Sequence, residues 1–477
     1  MSEENDGAEA LVLGTPDTAG LALDPAMEEA RNDPGLREDE SAGALTKASW
    51  RLLPLIGVGY GIAYMDRANI GYAALQMSAD LNFSATVYGL GGGLFFLSYA
   101  LLEVPSNLML VRFGARRWIA RIMITWGVLA VGMMFVKTPM QFYVMRFLLG
   151  AAEAGFFPGV MFYLTHWFPA YERGRAVSRF YVALPLSMVL MGVISGALLN
   201  LQGMLGLAGW QWLFAVEGMP AVLLGIAIFF LLPNGPADAA WLTEVERNWI
   251  KDRLAGDATL TGASTDHGVL RTLFDPRVLL LGICNVCILG TTYALTLSAP
   301  TLLRDVTGLD ATRVGFLIAA VAVFGAIAMI FAGWYSDRRR ERYLHLVIYL
   351  LLQAAAFVAM SLSVMPAVFV AAYAVVMAAM MAIQAVFFLI PGDILRGKSA
   401  AAGLAAVGSM GMIGAFLGPW FWGIARDYTG SYRAGLLSLF IPILFAAVIM
   451  VVLRRQAHNA RPVDVPADPA QKAAASV

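Results

Sequence analysis

"IAYMDRANIG", Ile62 to Gly71, sets an acid and a base, Asp66 and Arg67, side by side within an apolar segment. On a helix in water the pair would be ordinary; inside a membrane span it is costly. The surroundings decide between the two. Apolar residues continue on both sides of the pair, and eleven further apolar runs follow along the chain. Each run is long enough to cross roughly 30 Å of hydrocarbon. Of the 477 residues, 59% are hydrophobic and 14% charged, against about a quarter charged in soluble domains. Lipid gives exposed backbone groups no partners, and runs that do not alternate select helices over a closed barrel. The fold class expected is an all-α polytopic membrane protein with twelve transmembrane helices.

The spans are expected near 49–72, 86–111, 117–137, 140–165, 177–201 and 211–233, then 277–300, 312–335, 343–364, 366–391, 400–425 and 433–453. The polar interval 234–276 divides them six and six, giving two bundles over 49–233 and 277–453. Within it, Thr243 and Glu246 have capping-box spacing, so a short amphipathic surface helix is expected in a cytoplasmic linker. Residues 1–48 carry twelve Asp/Glu against three Lys/Arg and read as a disordered acidic tail, with a second tail at 454–477. The start does not read as a signal peptide.

Loop charge sets the orientation. Thirteen Lys/Arg follow spans 2, 4, 8 and 10 (Arg112, Arg116, Arg117, Arg121, Arg173, Arg175, Arg179, Arg338, Arg339, Arg340, Arg342, Arg396 and Lys398). The opposite side offers five: Lys137, Arg304, Arg313, Arg426 and Arg433. This bias places the first set and both termini in the cytoplasm, with Trp210 and Trp212 near the outer interface. Cys284 and Cys287 form a C-x-x-C inside an apolar run; without further ligands nearby they read as small apolar residues, and no metal or cofactor is expected.

Several motifs carry a resemblance: "GWYSDRRRER" after span 8, "PSNLMLVRFGARRWIARIM" after span 2, "YMDRANIG", "RFLLGAAEAGFFPGVMFYLTHWFPAYERGRA" and "GWQWLFAVEGMPAVLLG". With twelve spans in two halves, the chain resembles the major facilitator superfamily, and within it the anion:cation symporters. It looks most like permeases for 4-hydroxyphenylacetate, tartrate or phthalate. Gly333, Asp337 and Arg338 match the superfamily's G-x-x-x-D-R signature; the loop with Gly114 and Arg116 lacks the acidic residue. The resemblance implies import of an organic carboxylate with protons by alternating access, at a site near the midplane between the halves. It implies a bacterial-type inner membrane and a monomer, with a small anion and a proton as partners and no nucleic acid.

Ionisable residues inside the first six spans are Asp66, Arg67, Glu103, Arg146, Glu153 and Glu217. Each costs about 2.5–3.5 kcal/mol at a span centre, so such groups tend to face a wet chamber and to have partners. Arg146 and Glu153, two turns apart, share a helix face about 10 Å apart. Asp66 and Arg67 diverge by about 100°. Arg67 is expected to face the chamber, and Asp66 to reach towards Arg146. Arginine binds carboxylates with a planar fork but stays ionised, so only an acid can carry the coupled proton. The resemblance gives substrate binding to Arg67 and proton coupling to Asp66 and Glu153, with Arg146 as their tuning partner. The same four also fit a static network that only fixes helix packing; uptake by Asp66→Asn separates the two.

Tyr64 and Tyr99 are candidate substrate contacts, offering an apolar face and a polar tip. Glu103 and Glu217 read as structural groups near water, and His166 as interfacial. In the second half, "GSMGMIG" puts Gly408 and Met412 where relatives carry asparagines, which disfavours a heavily hydroxylated sugar acid. Tyr293, Gln384 and Asn285 are its remaining polar candidates. The glycines of "GLGGGLFF" (Gly89–Phe96) read as close-packing or bending positions. The alternatives are a drug or metabolite exporter of the same superfamily, a membrane enzyme, for which no nucleophile or metal set is present, and a channel, for which no repeated filter is seen.

Overall fold

The computed structural model describes residues 34–260, 274–339, 341–390 and 398–459, which are mostly helical with no strand among them. Readings made on residues 1–33, 261–273 and 460–477, and on Arg340 and Arg396, lie outside the described residues. The first half comprises α1 (Pro34–Asp80), α2 (Ala85–Phe113), α3 (Ala115–Gly132), α4 (Pro139–Glu153), α5 (Phe156–Thr165), α6 (Ala170–Tyr181), α7 (Ala183–Leu199) and α8 (Gly209–Leu231). After α9 (Glu244–Leu260) come α10 (Pro276–Thr307), α11 (Ala311–Arg339), α12 (Arg342–Leu362), α13 (Pro366–Phe387), α14 (Lys398–Thr429) and α15 (Tyr432–Asn459). The pairs α4/α5 and α6/α7 each make one span. Eleven spans among the described residues are long and apolar enough to cross a membrane. The helix outside that set is α1, whose hydropathy Asp66 and Arg67 dilute; it is the twelfth crossing.

Hydropathy starts the first span at 49 and leaves 1–48 as a tail, yet α1 begins at Pro34. Packing explains the difference. Ala44 and Ala48 are fully buried in one cluster with Leu242 and Ile250, and Lys47 Nζ donates to Glu246 Oε1 at 2.6 Å. Small residues and one lysine make this extension invisible to an apolar count. At the start of α9 the Thr243 and Glu246 side chains cap each other's backbone N–H groups, at 2.9 and 3.2 Å.

Span 4 is not continuous. Gly155 takes φ +86°, and a Cβ there would lie 2.4 Å from Ser106 Oγ, so the break between α4 and α5 needs glycine. It falls directly after Glu153 and ends the helix at the carboxyl that matters below.

The main helix pairs joining the halves are α2 with α14, α7 with α11, and α1 with α10. The first two pairs exchange under the six-span repeat, since span 2 corresponds to span 8 and span 5 to span 11. Their contacts are backbone-close. A Cβ on Gly192 would meet the Gly315 carbonyl at 2.5 Å, and one on Gly315 the Gly192 carbonyl at 2.1 Å. Gly89 and Gly93 lie as closely against Pro419 and Phe416. Further on, at the end away from Pro34 and Asn459 (the distal end), both Asp427 oxygens accept from the Ala85 and Thr86 N–H groups, at 3.0 and 2.7 Å. There Arg304 Nη1 also donates to the Leu75 carbonyl at 2.6 Å, and Asn200 Nδ2 to Thr312 Oγ1 at 2.7 Å. The distal end is therefore held shut across the bundle boundary. Trp210, placed at the interface by its residue type, is instead buried, its indole N–H donating to Asp80 Oδ2.

Candidate functional site

Mid-span on α1, Asp66 and Arg67 point to different neighbours, as their angular separation requires. Arg67 turns to α4, where Nε and Nη2 both donate to Glu153 Oε1, at 2.8 and 2.5 Å. Glu153 is fully buried and its second oxygen has no partner. Asp66 accepts from Asn69 Nδ2 at 3.1 Å, one turn along the same helix, and its other oxygen is unpartnered. Arg146 of α4 lies within electrostatic reach of Asp66. It donates through Nε to the Gly91 carbonyl at 3.4 Å, while Nη1 and Nη2 are buried without partners. Two arginines and two acids thus balance in charge but not in hydrogen bonds. Such a set is poorly suited to pure stabilisation, because buried charge is costly where polar atoms stay unsatisfied.

Phe95 separates the two guanidinium groups, its ring centroid 5.9 Å from Arg67 and 4.8 Å from Arg146. One turn on, Tyr99 places its ring 5.1 Å from Arg67. From the other half, Tyr293 of α10 reaches the same guanidinium, with its ring 4.1 Å from that of Phe96. Arg67 therefore lies at the bundle boundary under a roof of aromatic rings, a setting in which a flat cation is favoured. Tyr64 is half-buried beside Tyr60, its ring 6.3 Å away, and within reach of Tyr293 and Arg67.

Of the predicted residues, Asp66, Arg67, Arg146, Glu153, Tyr64, Tyr99 and Tyr293 come together. Gln384 is half-buried on α13 and forms no hydrogen bond to Arg67. Asn285 is committed elsewhere, its Nδ2 donating to the Val407 carbonyl at 2.9 Å between α10 and α14. Gly114 takes φ +85° with Asn234 Oδ1 packed against it, and Asn234 also accepts from the Arg116 N–H. A Cβ on Gly333 would meet nothing, Arg338 lies over the Trp334 ring at 5.4 Å, and the Asp337 side chain is outside the described set. Cys284 and Cys287 are free thiols, and the described residues hold no metal-ligating cluster.

Sequence reasoning missed Phe95, Asn69 and Trp126, and undervalued Glu217. Phe95 and Asn69 were findable, being one turn before Tyr99 and one turn after Asp66. Trp126 stands beside Asp66 from α3, which only packing reveals. Glu217, expected near water and loop arginines, is buried with neither carboxyl oxygen partnered. A cavity of about 330 Å³ lies not at Arg67 but at the distal end, lined by Ser78, Tyr88, Ser298, Arg304, Arg426 and Asp427 among others.

Twelve crossings in two halves, with an ion-paired arginine at their boundary, define a membrane transport protein rather than an enzyme. The chain belongs to the Major Facilitator Superfamily, whose family model matches residues 56–419. It is 42% identical to a protein of Agrobacterium vitis named "Putative tartrate transporter", over 90% of this chain and 95% of that one. It is 38% identical to the "Quinolone resistance transporter" of Acinetobacter baumannii, over 87% and 96%. Its fold is similar to that of a bacterial homologue of the human lysosomal transporter Spinster, with TM-score 0.74, 17% identity and coverage of 87% and 99%.

Proposed function

We propose that this transporter imports a small organic carboxylate together with protons by alternating access. The observation that carries the reading is the Arg67–Glu153 pair, buried at the bundle boundary beneath Tyr99 and Tyr293. A substrate carboxylate competes with Glu153 for the planar fork of Arg67. Once displaced, Glu153 is left in a dry site without its cation and takes up a proton. For a monocarboxylate the site charge is then the same with and without cargo, so anion and proton move as one neutral addition; a dicarboxylate such as tartrate or phthalate needs a second proton for the same balance. Asp66 and Arg146, within electrostatic reach of each other but not hydrogen-bonded, offer a second acid and base. Tyr64, Tyr99 and Tyr293 supply aromatic faces and hydroxyl tips for the rest of the cargo, with Gln384 further along the chamber. The similarity to a protein named for tartrate favours tartrate, with 4-hydroxyphenylacetate and phthalate as the next acids to try.

In this reading the bundles 49–233 and 277–453 rock about the 234–276 linker, as a monomer in the plasma membrane with both termini cytoplasmic. The loops with Gly114 and Arg116, and with Gly333, Asp337 and Arg338, then act as the cytoplasmic latch. Purified protein in proteoliposomes, given an inward pH gradient and the panel tartrate, 4-hydroxyphenylacetate, phthalate and galactonate, is expected to accumulate one of them. If none moves or competes, the substrate class is wrong.

The relative named for quinolone resistance supports a second reading, proton-antiport export. Acidifying the outside speeds uptake in the first reading and drives cargo outward in the second, so one gradient experiment separates them.

A further inference from the structure

Four ionisable residues of the second bundle meet at the distal end, Arg304 and Asp305 near the end of α10 and Arg426 and Asp427 near the end of α14. The cavity of about 330 Å³ lies between them and the first bundle, a volume within the usual range of small-molecule sites, about 300–1,000 Å³. Both arginines line it, whereas Asp305 does not. Asp427 lines it too, but its two oxygens are already engaged by the Ala85 and Thr86 N–H groups. The wall therefore offers two cations and no free acid.

An arginine carries five N–H donors. Arg304 spends Nη1 on the Leu75 carbonyl at 2.6 Å, and Nε and Nη2 on Asp305 Oδ1 at 3.4 and 3.3 Å. Arg426 donates only through Nη2, to Asp305 Oδ2 at 2.9 Å, so most of its fork is open to a second acceptor. Asp305 shows what the pair accepts, one carboxylate with one oxygen to each guanidinium. These three side chains are 32–40% exposed, so the clasp is weak and an incoming carboxylate can compete with it. Ser298 adds a hydroxyl on the same wall that bonds to no described residue. The floor closes the cavity off from the charged chamber. A Cβ on Gly71 would meet the Leu297 carbonyl at 2.9 Å, and one on Gly92 the Leu297 Cδ1 at 2.6 Å, so Leu297 is wedged between α1 and α2. Beside it the Tyr88 hydroxyl donates to the Ile70 carbonyl at 2.7 Å. Arg304 follows Tyr293 by eleven residues on α10, about 16 Å along the helix, so a small anion held here does not touch Arg67.

We propose that the distal cavity is a second carboxylate site, in which Arg426 and Arg304, with the Ser298 hydroxyl, hold a small organic anion above the Leu297 floor. Arg426 supplies the open fork, and Arg304 links occupancy to the seal, because the same guanidinium holds Leu75 across the bundle boundary. A carboxylate that draws Arg304 away from that carbonyl loosens one of the contacts keeping the distal end shut. As a waiting place for cargo the inference rests on the carboxylate-import reading above; as a binding site it does not.

Ser78→Cys puts a reporter thiol in the cavity wall. In the purified full-length protein a hydrophilic maleimide is expected to label it, and tartrate or phthalate to slow that labelling. Adding Arg426→Gln should raise the anion concentration for half protection by about tenfold or more, the scale of one charge-assisted contact. Adding Arg67→Ala instead should leave that concentration within about twofold. Protection that survives Arg426→Gln, or that Arg67→Ala abolishes, means the thiol reports a shape change driven from the chamber, and overturns the proposal. A thiol that never labels, or whose labelling neither acid slows, overturns it as well. Sulfate that protects equally at the same ionic strength makes the cavity a general anion trap and refutes the carboxylate assignment. Where a variant does not fold, Arg426→Lys or Arg67→Lys takes its place, keeping the charge and losing the planar fork, with the same two outcomes expected. Proteoliposomes that take up no carboxylate refute the import reading instead, and leave the protection result to stand or fall alone.

Discussion

The two bundles share a helix plan and differ in what they bury. In the first, Asp66, Arg67, Arg146, Glu153 and Glu217 are all at least nine-tenths buried. In the second, the buried polar residues among those described are neutral, such as Asn285, Thr291, Ser298, Ser336 and Gln353, apart from His345 in the first turn of α12. Charge is therefore concentrated on one side of the boundary, while the other side supplies aromatic and hydroxyl surface through Tyr293 and Tyr373. A charged half can hold ions through a rocking motion only if the opposing half makes no strong ion pair with it, since such a pair would lock the two together. The asymmetry fits a division of labour: one bundle binds, the other covers.

The comparison breaks most easily at Arg67. Arg67→Ala leaves Glu153 buried without its partner, a loss of about 3–5 kcal/mol for such a pair. Uptake per folded molecule is expected to fall at least about a hundredfold; wild-type rates would put binding elsewhere. Next in size, Glu153→Gln is expected to keep exchange while gradient-driven accumulation drops by about tenfold or more. A variant that still concentrates substrate would show that Glu153 carries no coupling proton.

Asp427→Ala tests the boundary itself. It removes both carboxylate contacts to the start of α2, leaving Ser84 Oγ, which accepts from the Val87 N–H at 3.2 Å, as the remaining cap. Hydrogen bonds to charged groups contribute about 1.5–3 kcal/mol net, and these two, being exposed, are worth well under that each, so a shift of roughly tenfold towards a distal-open state is expected. Thiol labelling of Ser298→Cys, in the distal cavity, reads it; unchanged labelling would mean that the glycine crossings alone hold this end. Asn285→Ala sharpens the contrast from the other side, costing about 1 kcal/mol of stability and leaving the pH dependence of uptake untouched. A changed pH profile would give the second bundle a share in coupling.

The smallest effect lies outside the membrane. Burial alone would push the Glu246 carboxyl up, but the Lys47 ammonium and the Thr243 N–H outweigh it and hold it below the usual carboxylate range. A depressed acid stabilises the fold above the ordinary carboxylate pKa, and that contribution is lost as pH falls through the lowered value. Hydrogen exchange in α9 is expected to rise on acidification, and in Thr243→Ala at neutral pH, each by an amount worth about 1 kcal/mol or less.

Much of this was legible before any coordinates. The apolar runs give the crossings, and the charges inside them give Asp66, Arg67, Arg146 and Glu153, because lipid makes each one costly enough to stand out. The approach of Asp66 to Arg146 is expected from the divergence of Asp66 and Arg67 on one helix, and Arg146 does lie within electrostatic reach. The hydrogen-bonded partner of Arg67 was not legible, because only the tertiary placement of α4 brings Glu153 to it. Gln384 and Asn285 show the opposite failure: a polar residue in a span can serve packing, as Asn285 does on Val407, and residue type does not reveal it. Glu217 looked close to water because α8 begins eight residues earlier, yet the neighbouring helices close over it.

What the sequence determined alone is the class of structure and the list of groups that had to be explained, since hydropathy and the cost of buried charge act residue by residue. What the tertiary structure decided is who meets whom: the Arg67–Glu153 pair, the burial of Glu217 with no partner for either oxygen, and the seal at Asp427. Those depend on how helices distant in the chain rotate and approach, and packing between them is a property of the whole bundle rather than of any segment.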